Sequence, residues 1–110
     1  MWYAVNLLFK STHKVDKKAD PLWEERILLM KADTEEDAKT EAIEYGKKGE
    51  HEYSVGNGSA DESTDSIKWS FEQIERIFTI DDESLTSGTE LFSRYLRDSE
   101  VKSLLIPFDD

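Results

Sequence analysis

The sequence pattern that comes nearest to a known chemical site is a run of oxygen-bearing side chains in the second half of the chain. The run begins at Asp61, includes a serine and Asp65, and has Glu72 at its twelfth position. This spacing is typical of a calcium-binding EF-hand loop. Ser66 stands where that loop needs a glycine, however, and residues 67–71 alternate like a strand. We therefore expect a solvated hairpin and no metal site.

A second candidate is the carboxylate of Glu25, which strand alternation places on the same face as Trp23 and Ile27. Partial removal from water raises the pKa of a carboxyl group, as a general acid or base requires. The same position is also typical of a strand that twists or lies at the edge of a sheet, or of a buried structural ion pair, and we favour these structural interpretations. The arginines on neighbouring segments that could pair with Glu25 are Arg76 and Arg94.

The remaining sequence contains no catalytic or cofactor-binding pattern. The chain has no cysteine, which excludes disulfides and thiolate zinc sites. His13 and His51 lie far apart without metal-site spacing, and Gly56 and Gly58 lack the lysine and hydroxyl residue of a phosphate-binding loop. We therefore assign no catalytic residue, no metal ligand and no cofactor, and we expect that the protein is not an enzyme.

Negative charge is the strongest indication of a partner. The net charge is −9 for residues 51–110 and −2 for residues 1–50, which together give −11. Such a chain repels nucleic-acid phosphates and anionic lipids, so we expect no nucleic acid and no membrane as partners and favour a basic protein. The acids predicted to bind this partner are clustered in two turns: Asp61, Glu62, Asp65, Asp81, Asp82 and Glu83.

Length and composition predict one globular domain over residues 1–110. Hydrophobic residues form 37% of the chain, which is sufficient for a modest core at this size. The N-terminal residues do not resemble a secretion signal, and no apolar run approaches the roughly 20 residues of a membrane-spanning helix. We expect a cytoplasmic location.

Alternating apolar residues predict the strands that would position these groups. Residues 2–10 are apolar on both faces, which is typical of a central strand. Within 67–80 the apolar residues switch from one face of the strand to the other, so we expect a β-bulge near Glu72 and Gln73. The predicted strands are 2–10, 22–31, a short piece around Tyr53 and Val55, 67–80 and 89–97.

Two helices complete the prediction. Thr34 resembles an N-cap followed by three acids, which indicates a helix over about 35–48. Its stripe of Ala38, Ala42 and Tyr45 would face the sheet, and residues 99–106 have the spacing of a short helix. The fold class is therefore α+β: a mostly antiparallel sheet of about five strands, with one main helix packed on a face and a short C-terminal helix. The element order is β-β-α-β-β-β-α.

Short motifs along most of the chain resemble a small bacterial domain family of unknown function. The motifs are Trp2-Tyr3-Ala4-Val5, Glu24-Glu25, Trp69-Ser70-Phe71 and Gly88-Thr89-Glu90 with Ser93. The resemblance covers residues 2 to about 97. It implies a compact bacterial α+β domain, and it implies no activity and no functional residues.

Three functional hypotheses follow from the sequence. The leading one is a small acidic protein-binding module, most concretely an immunity-type inhibitor of a basic toxin or nuclease, because long-range attraction accelerates binding of a basic partner. The alternative is a homo-oligomeric or general interaction domain, such as a homodimer in which the apolar second face of the sheet pairs with itself. The third is a small-ligand protein or enzyme that uses Glu25.

Overall fold

The computed structural model describes residues 1–55, 65–81 and 85–106. Within these residues the chain forms one antiparallel sheet of four strands and two helices, which confirms the predicted α+β class. The strand order is β2-β1-β4-β3, so β1 and β4 are central. The elements are β1 (Trp2–His13), β2 (Trp23–Lys31), α1 (Glu35–Lys48), β3 (His51–Val55), β4 (Asp65–Ile80) and α2 (Asp98–Leu105).

Strand β1 is buried on both faces, as its two-sided apolar pattern predicts. Tyr3, Val5, Leu7 and Phe9 belong to the core on the side where α1 packs, which we call the helix face. The intervening residues lie on the opposite side, which we call the back face. Asn6 is fully buried there.

Strand β4 contains two irregularities in its pairing with β1. The first leaves Glu72 without a partner residue on β1 and confirms the bulge that was predicted near Gln73. It turns Ile74 to the helix face. The second irregularity, at Glu75, was not predicted. It moves the following side chains to the opposite faces of the sheet, so that Phe78 lies on the back face.

Helix α1 begins after Thr34, whose side-chain oxygen accepts a hydrogen bond from the Asp37 N–H at 3.1 Å. Its bounds agree with the prediction, and its buried stripe contains Ala38, Ala42 and Gly46. Tyr45, which we expected in that stripe, is instead 54% exposed. The helix lies so close to the sheet that only the smallest side chains fit between them.

The fifth strand that we predicted over residues 89–97 is wrong. This segment crosses the back face without joining the sheet. Its residues do not alternate between buried and exposed as those of a strand do, and its packing comes mainly from one aromatic side chain. Phe92 packs edge-on against Phe78, with ring centroids 6.3 Å apart. Arg76 lies over the Phe92 ring and donates a hydrogen bond to the Ser93 carbonyl at 3.4 Å.

The short C-terminal helix is confirmed as α2, one residue earlier than predicted. None of its side chains is buried, and it contacts none of the other described helices and strands. It therefore does not cover the sheet.

Candidate functional site

The acids predicted to bind a partner are divided by the fold. Asp65 begins β4 and Asp81 follows the end of the same strand, which is 16 residues long. At about 3.3 Å per residue, the strand that separates these two carboxylates is roughly 50 Å long when measured along the chain. Asp65 and Asp81 therefore do not belong to one surface. The other four predicted acids lie outside the described residues: Asp61, Glu62, Asp82 and Glu83.

Asp65 is engaged within the fold. Its carboxylate accepts hydrogen bonds from the Val15 N–H at 2.7 Å and from the Ser66 N–H at 2.8 Å. His13 Nδ1 lies 2.8 Å from its other oxygen. The Val15 amide first, and then the His13 ring, stabilise the charged carboxylate and lower the pKa of Asp65 from 3.8 to about 2. Asp65 thus joins the end of β1 to the start of β4.

We expect replacement of Asp65 by asparagine to destabilise the fold in a pH-dependent way. Because the folded-state pKa is below the unfolded one, the contribution of the ionised carboxylate is complete above about pH 4 and is lost as the pH falls towards 2. Urea denaturation of the wild type and Asp65→Asn should therefore differ at pH 6 and converge near pH 2. The control Asp81→Asn, at an exposed position, should track the wild type. A difference for Asp65→Asn that does not change with pH would contradict this role.

The EF-hand pattern does not correspond to a metal-binding loop. Asp65 and Glu72 both belong to β4, and an extended strand cannot curve their carboxylates around one ion. Asp61 lies outside the described residues. Within the part of the chain that the structure describes, no three His, Cys, Asp or Glu side chains are grouped to hold a metal.

Glu25 lies on the back face in a polar cluster with Asn6 and Arg94. Its Oε2 accepts a hydrogen bond from Asn6 Nδ2 at 3.2 Å and lies 3.7 Å from Arg94 Nη1. The Glu25 and Arg94 side chains are each about one-third exposed, so their pair is not the buried one that we expected. Arg76, the other predicted partner, is bound to the segment around Phe92 instead.

Asn6 was not assigned a role from the sequence. It is fully buried, and its Oδ1 accepts no hydrogen bond within the described residues. The sequence did indicate that Asn6 is unusual, because it is the one polar residue among the apolar residues 2–9. Its side-chain amide donates a hydrogen bond to the Glu25 carboxylate.

A concave aromatic surface lies on the sheet beyond the C-terminal end of α1. Helix α1 ends at Lys48, whereas β1 and β4 continue past it, so this part of the sheet is not covered by the helix. The cavity has a volume of about 360 Å³. We call it the aromatic cleft, and its lining residues are Leu22, Trp23, Glu24, Arg26, His51, Tyr53 and Trp69.

Aromatic side chains from β3 and β4 form one wall of the aromatic cleft. The His51 and Tyr53 rings stack with centroids 5.9 Å apart. Trp69 Nε1 donates a hydrogen bond to the Tyr53 hydroxyl at 3.4 Å. On the other side, Ser11 and Leu22 exchange hydrogen bonds: the Ser11 N–H donates to the Leu22 carbonyl, and the Leu22 N–H donates to Ser11 Oγ. The stacking and the Trp69–Tyr53 hydrogen bond thus link the three rings of this wall.

The polar side chains of the aromatic cleft already have partners. Arg26 donates to Glu24 at 2.9 Å, and its guanidinium lies 4.2 Å from the centre of the Phe9 ring. His51 Nδ1 lies 3.1 Å from the Gly49 carbonyl oxygen. The surface of the cleft is mainly apolar and aromatic, and such a surface can bind an inserted side chain of another molecule. Sequence reasoning missed it because its residues come from three separate segments.

The chain belongs to the family described as "Domain of unknown function (DUF4288)", whose sequence model matches residues 2–93. The match includes the aromatic cleft and Glu25, and it ends before α2. No curated protein and no solved structure matches the chain. In the described residues, neither helix has the length and apolar character needed to cross a membrane.

Proposed function

We propose that this member of the DUF4288 family is a protein-binding module for a basic partner. The aromatic cleft carries the proposal, because partly exposed aromatic residues around a concavity are typical anchors of protein interfaces. The net charge of −11 favours a basic partner. In its most concrete form the module is a bacterial immunity-type inhibitor that binds a basic toxin or nuclease in the cytoplasm.

In this proposal the charge and the cleft act at different stages of binding. Long-range attraction by the whole acidic molecule accelerates the encounter, even though Asp65 and Asp81 lie at opposite ends of β4. Insertion of an apolar or aromatic side chain into the cleft then slows dissociation. Association rate and dissociation rate should therefore depend on different residues.

The test is co-expression with basic proteins encoded by neighbouring genes, followed by surface plasmon resonance with any protein that forms a complex. We expect Tyr53→Ala to increase the dissociation rate by about tenfold, as loss of an interface anchor does. The matched control is Tyr95→Ala, because Tyr95 is fully exposed and does not line the aromatic cleft. A Tyr53→Ala complex as long-lived as the wild-type complex would show that the cleft is not the binding site.

The charge is tested by neutralising acids with asparagine or glutamine. Asp65 is left unchanged, because it holds β1 to β4. The association rate should fall by about tenfold in this variant, and also when salt is raised for the wild type. An association rate that is insensitive to both changes, or the absence of a complex with any basic neighbour, would contradict the proposal. The acids changed are Asp61, Glu62, Asp81, Asp82 and Glu83.

A second candidate function is self-association, which the back face of β2 favours. Ile27 and Leu29 are 48% and 42% exposed on this face. The third hypothesis, a small-ligand protein or enzyme, gains no support from Glu25, whose carboxylate is held by Asn6 and Arg94. A function in homo-oligomers therefore ranks second.

A further inference from the structure

Strand β2 forms one edge of the sheet. It is 9 residues long, and within the described residues it pairs with β1 and has no strand on its other side. Its register with β1 is continuous from the Trp2 and Lys31 pair to the Lys10 and Trp23 pair, without the irregularities that interrupt β4. Soluble proteins usually protect a long edge with a bulge, a proline or a covering segment. Strand β2 contains neither a bulge nor a proline.

Hydrogen bonds just beyond the two ends of β2 show which of its backbone groups face outward. Met1 and Ala32 exchange both of their backbone hydrogen bonds, at 3.1 and 3.0 Å. The Ser11 N–H donates to the Leu22 carbonyl at 2.9 Å. Because bonding to one neighbour alternates along an antiparallel strand, the even-numbered residues of β2 bond β1 and the odd-numbered residues face away. The outward residues are Trp23, Glu25, Ile27, Leu29 and Lys31.

The outward side of β2 is open to a second strand. Its outward N–H groups donate no hydrogen bond within the described residues. The two acidic side chains of β2 are held by other groups of the same chain. Glu24 pairs with Arg26 at 2.9 Å. Glu25 accepts from Asn6 and lies 3.7 Å from Arg94. These acids therefore do not leave an unpaired negative charge at the edge.

Two cavities lie next to each other along the helix face of β2. The aromatic cleft is bordered by Glu24 and Arg26, and a second cavity of about 280 Å³ is bordered by Arg26 and Leu28. Successive residues on this face are about 7 Å apart, which is also the spacing of alternate side chains in an added strand. Such a strand can present one side chain to each cavity. Its other side chains would cover Ile27 and Leu29 on the back face, which are 48% and 42% exposed.

We propose that the basic partner binds by adding an extended strand to the outer edge of β2. This inference rests on the proposed function and identifies the part of the partner that inserts into the aromatic cleft. An extended backbone has donors and acceptors at the spacing of the outward groups of β2. Glu24 and Glu25, one on each face, are 45% and 35% exposed and favour basic residues in the added strand. Two chains of charge −11 repel each other, which disfavours β2 of a second copy.

Amide hydrogen exchange of the wild type, followed by NMR, is the first test. In the free protein the outward amides of Glu25, Ile27 and Leu29 should exchange at least about tenfold faster than those of Arg26 and Leu28, which bond β1. The basic protein recovered by co-expression should slow the three outward amides by at least about tenfold. Unchanged exchange of these amides in the complex would overturn strand addition and leave the basic-partner proposal intact. Slow exchange in the free protein would mean that the edge is already paired, as in self-association, and would also overturn it.

Ile27→Pro tests the backbone contact itself. Proline is tolerated on an edge strand where the N–H faces outward, so circular dichroism should match that of the wild type. We expect the complex with the basic protein to dissociate at least about tenfold faster. The matched control Ile27→Ala shortens the side chain but keeps the N–H, and it should speed dissociation by less than about threefold. Equal effects of the two variants would show that the side chain, and not the backbone, makes the contact.

A synthetic peptide separates strand addition from the choice of partner. The probe is a peptide as long as β2, with alternating lysine and valine and blocked ends, and its control carries proline in place of every valine. The probe should slow exchange of the Glu25, Ile27 and Leu29 amides, and the equally charged control should not. If the probe does so although no basic neighbour forms a complex, the proposed function fails and strand addition stands. If neither the probe nor a basic protein slows these amides, strand addition is overturned.

Discussion

Replacing Phe9 with alanine should lower the free energy of unfolding by about 3–5 kcal/mol. Phe9 is fully buried in the helix-face core, and its ring meets Phe71 edge-on with centroids 5.8 Å apart. The substitution removes this apolar surface from the core and leaves a cavity. Because small domains have a total stability of about 5–15 kcal/mol, the loss is a large part of the whole.

The same substitution should also affect the aromatic cleft. The guanidinium of Arg26 lies 4.2 Å from the centre of the Phe9 ring, and Arg26 lines the cleft.

Urea denaturation measures the stability change caused by Phe9→Ala, with Phe9→Leu as the conservative variant and Tyr95→Ala as the exposed control. The control should remain within about 0.5 kcal/mol of the wild type. Equal losses for Phe9→Ala and Tyr95→Ala would contradict the position of Phe9 in the core.

The second large effect is expected at Gly46, where α1 packs against Phe71 of β4. A Cβ atom added at Gly46 would lie 2.6, 2.7 and 2.9 Å from three ring atoms of Phe71. Alanine favours a helix over glycine by about 1 kcal/mol, but forcing a methyl group into a packed core costs about 1–3 kcal/mol. We expect Gly46→Ala to be destabilising overall, and Gly46→Leu to be more so.

A double-mutant cycle isolates the contact between Gly46 and Phe71. In a Phe71→Leu background the ring is absent, so Gly46→Ala should be much less destabilising or even stabilising. Lys47→Ala, at the next position of the helix and exposed, should change stability by less than about 0.5 kcal/mol. If the penalty of Gly46→Ala were the same with and without the Phe71 ring, the close approach would not be its cause.

The sequence by itself determined the features that depend on near neighbours in the chain. The bounds of α1 follow from the Thr34 cap and the acids after it, which act within one helical turn. The central place of β1 follows from the apolar residues on both of its faces. The bulge at Glu72 follows from the switch of the apolar residues of β4 from one face of the strand to the other. The net charge of −11, from which we propose a basic partner, is also a property of composition.

Only the tertiary structure decided which distant segments meet. The aromatic cleft combines Arg26, Tyr53 and Trp69 from three strands, and no spacing in the sequence reveals that α1 ends short of them. The second bulge turns Phe78 to the back face, where Phe92 anchors residues 89–97 as a cover and not as a fifth strand. Contacts between distant segments depend on strand order and register, which local sequence patterns do not encode.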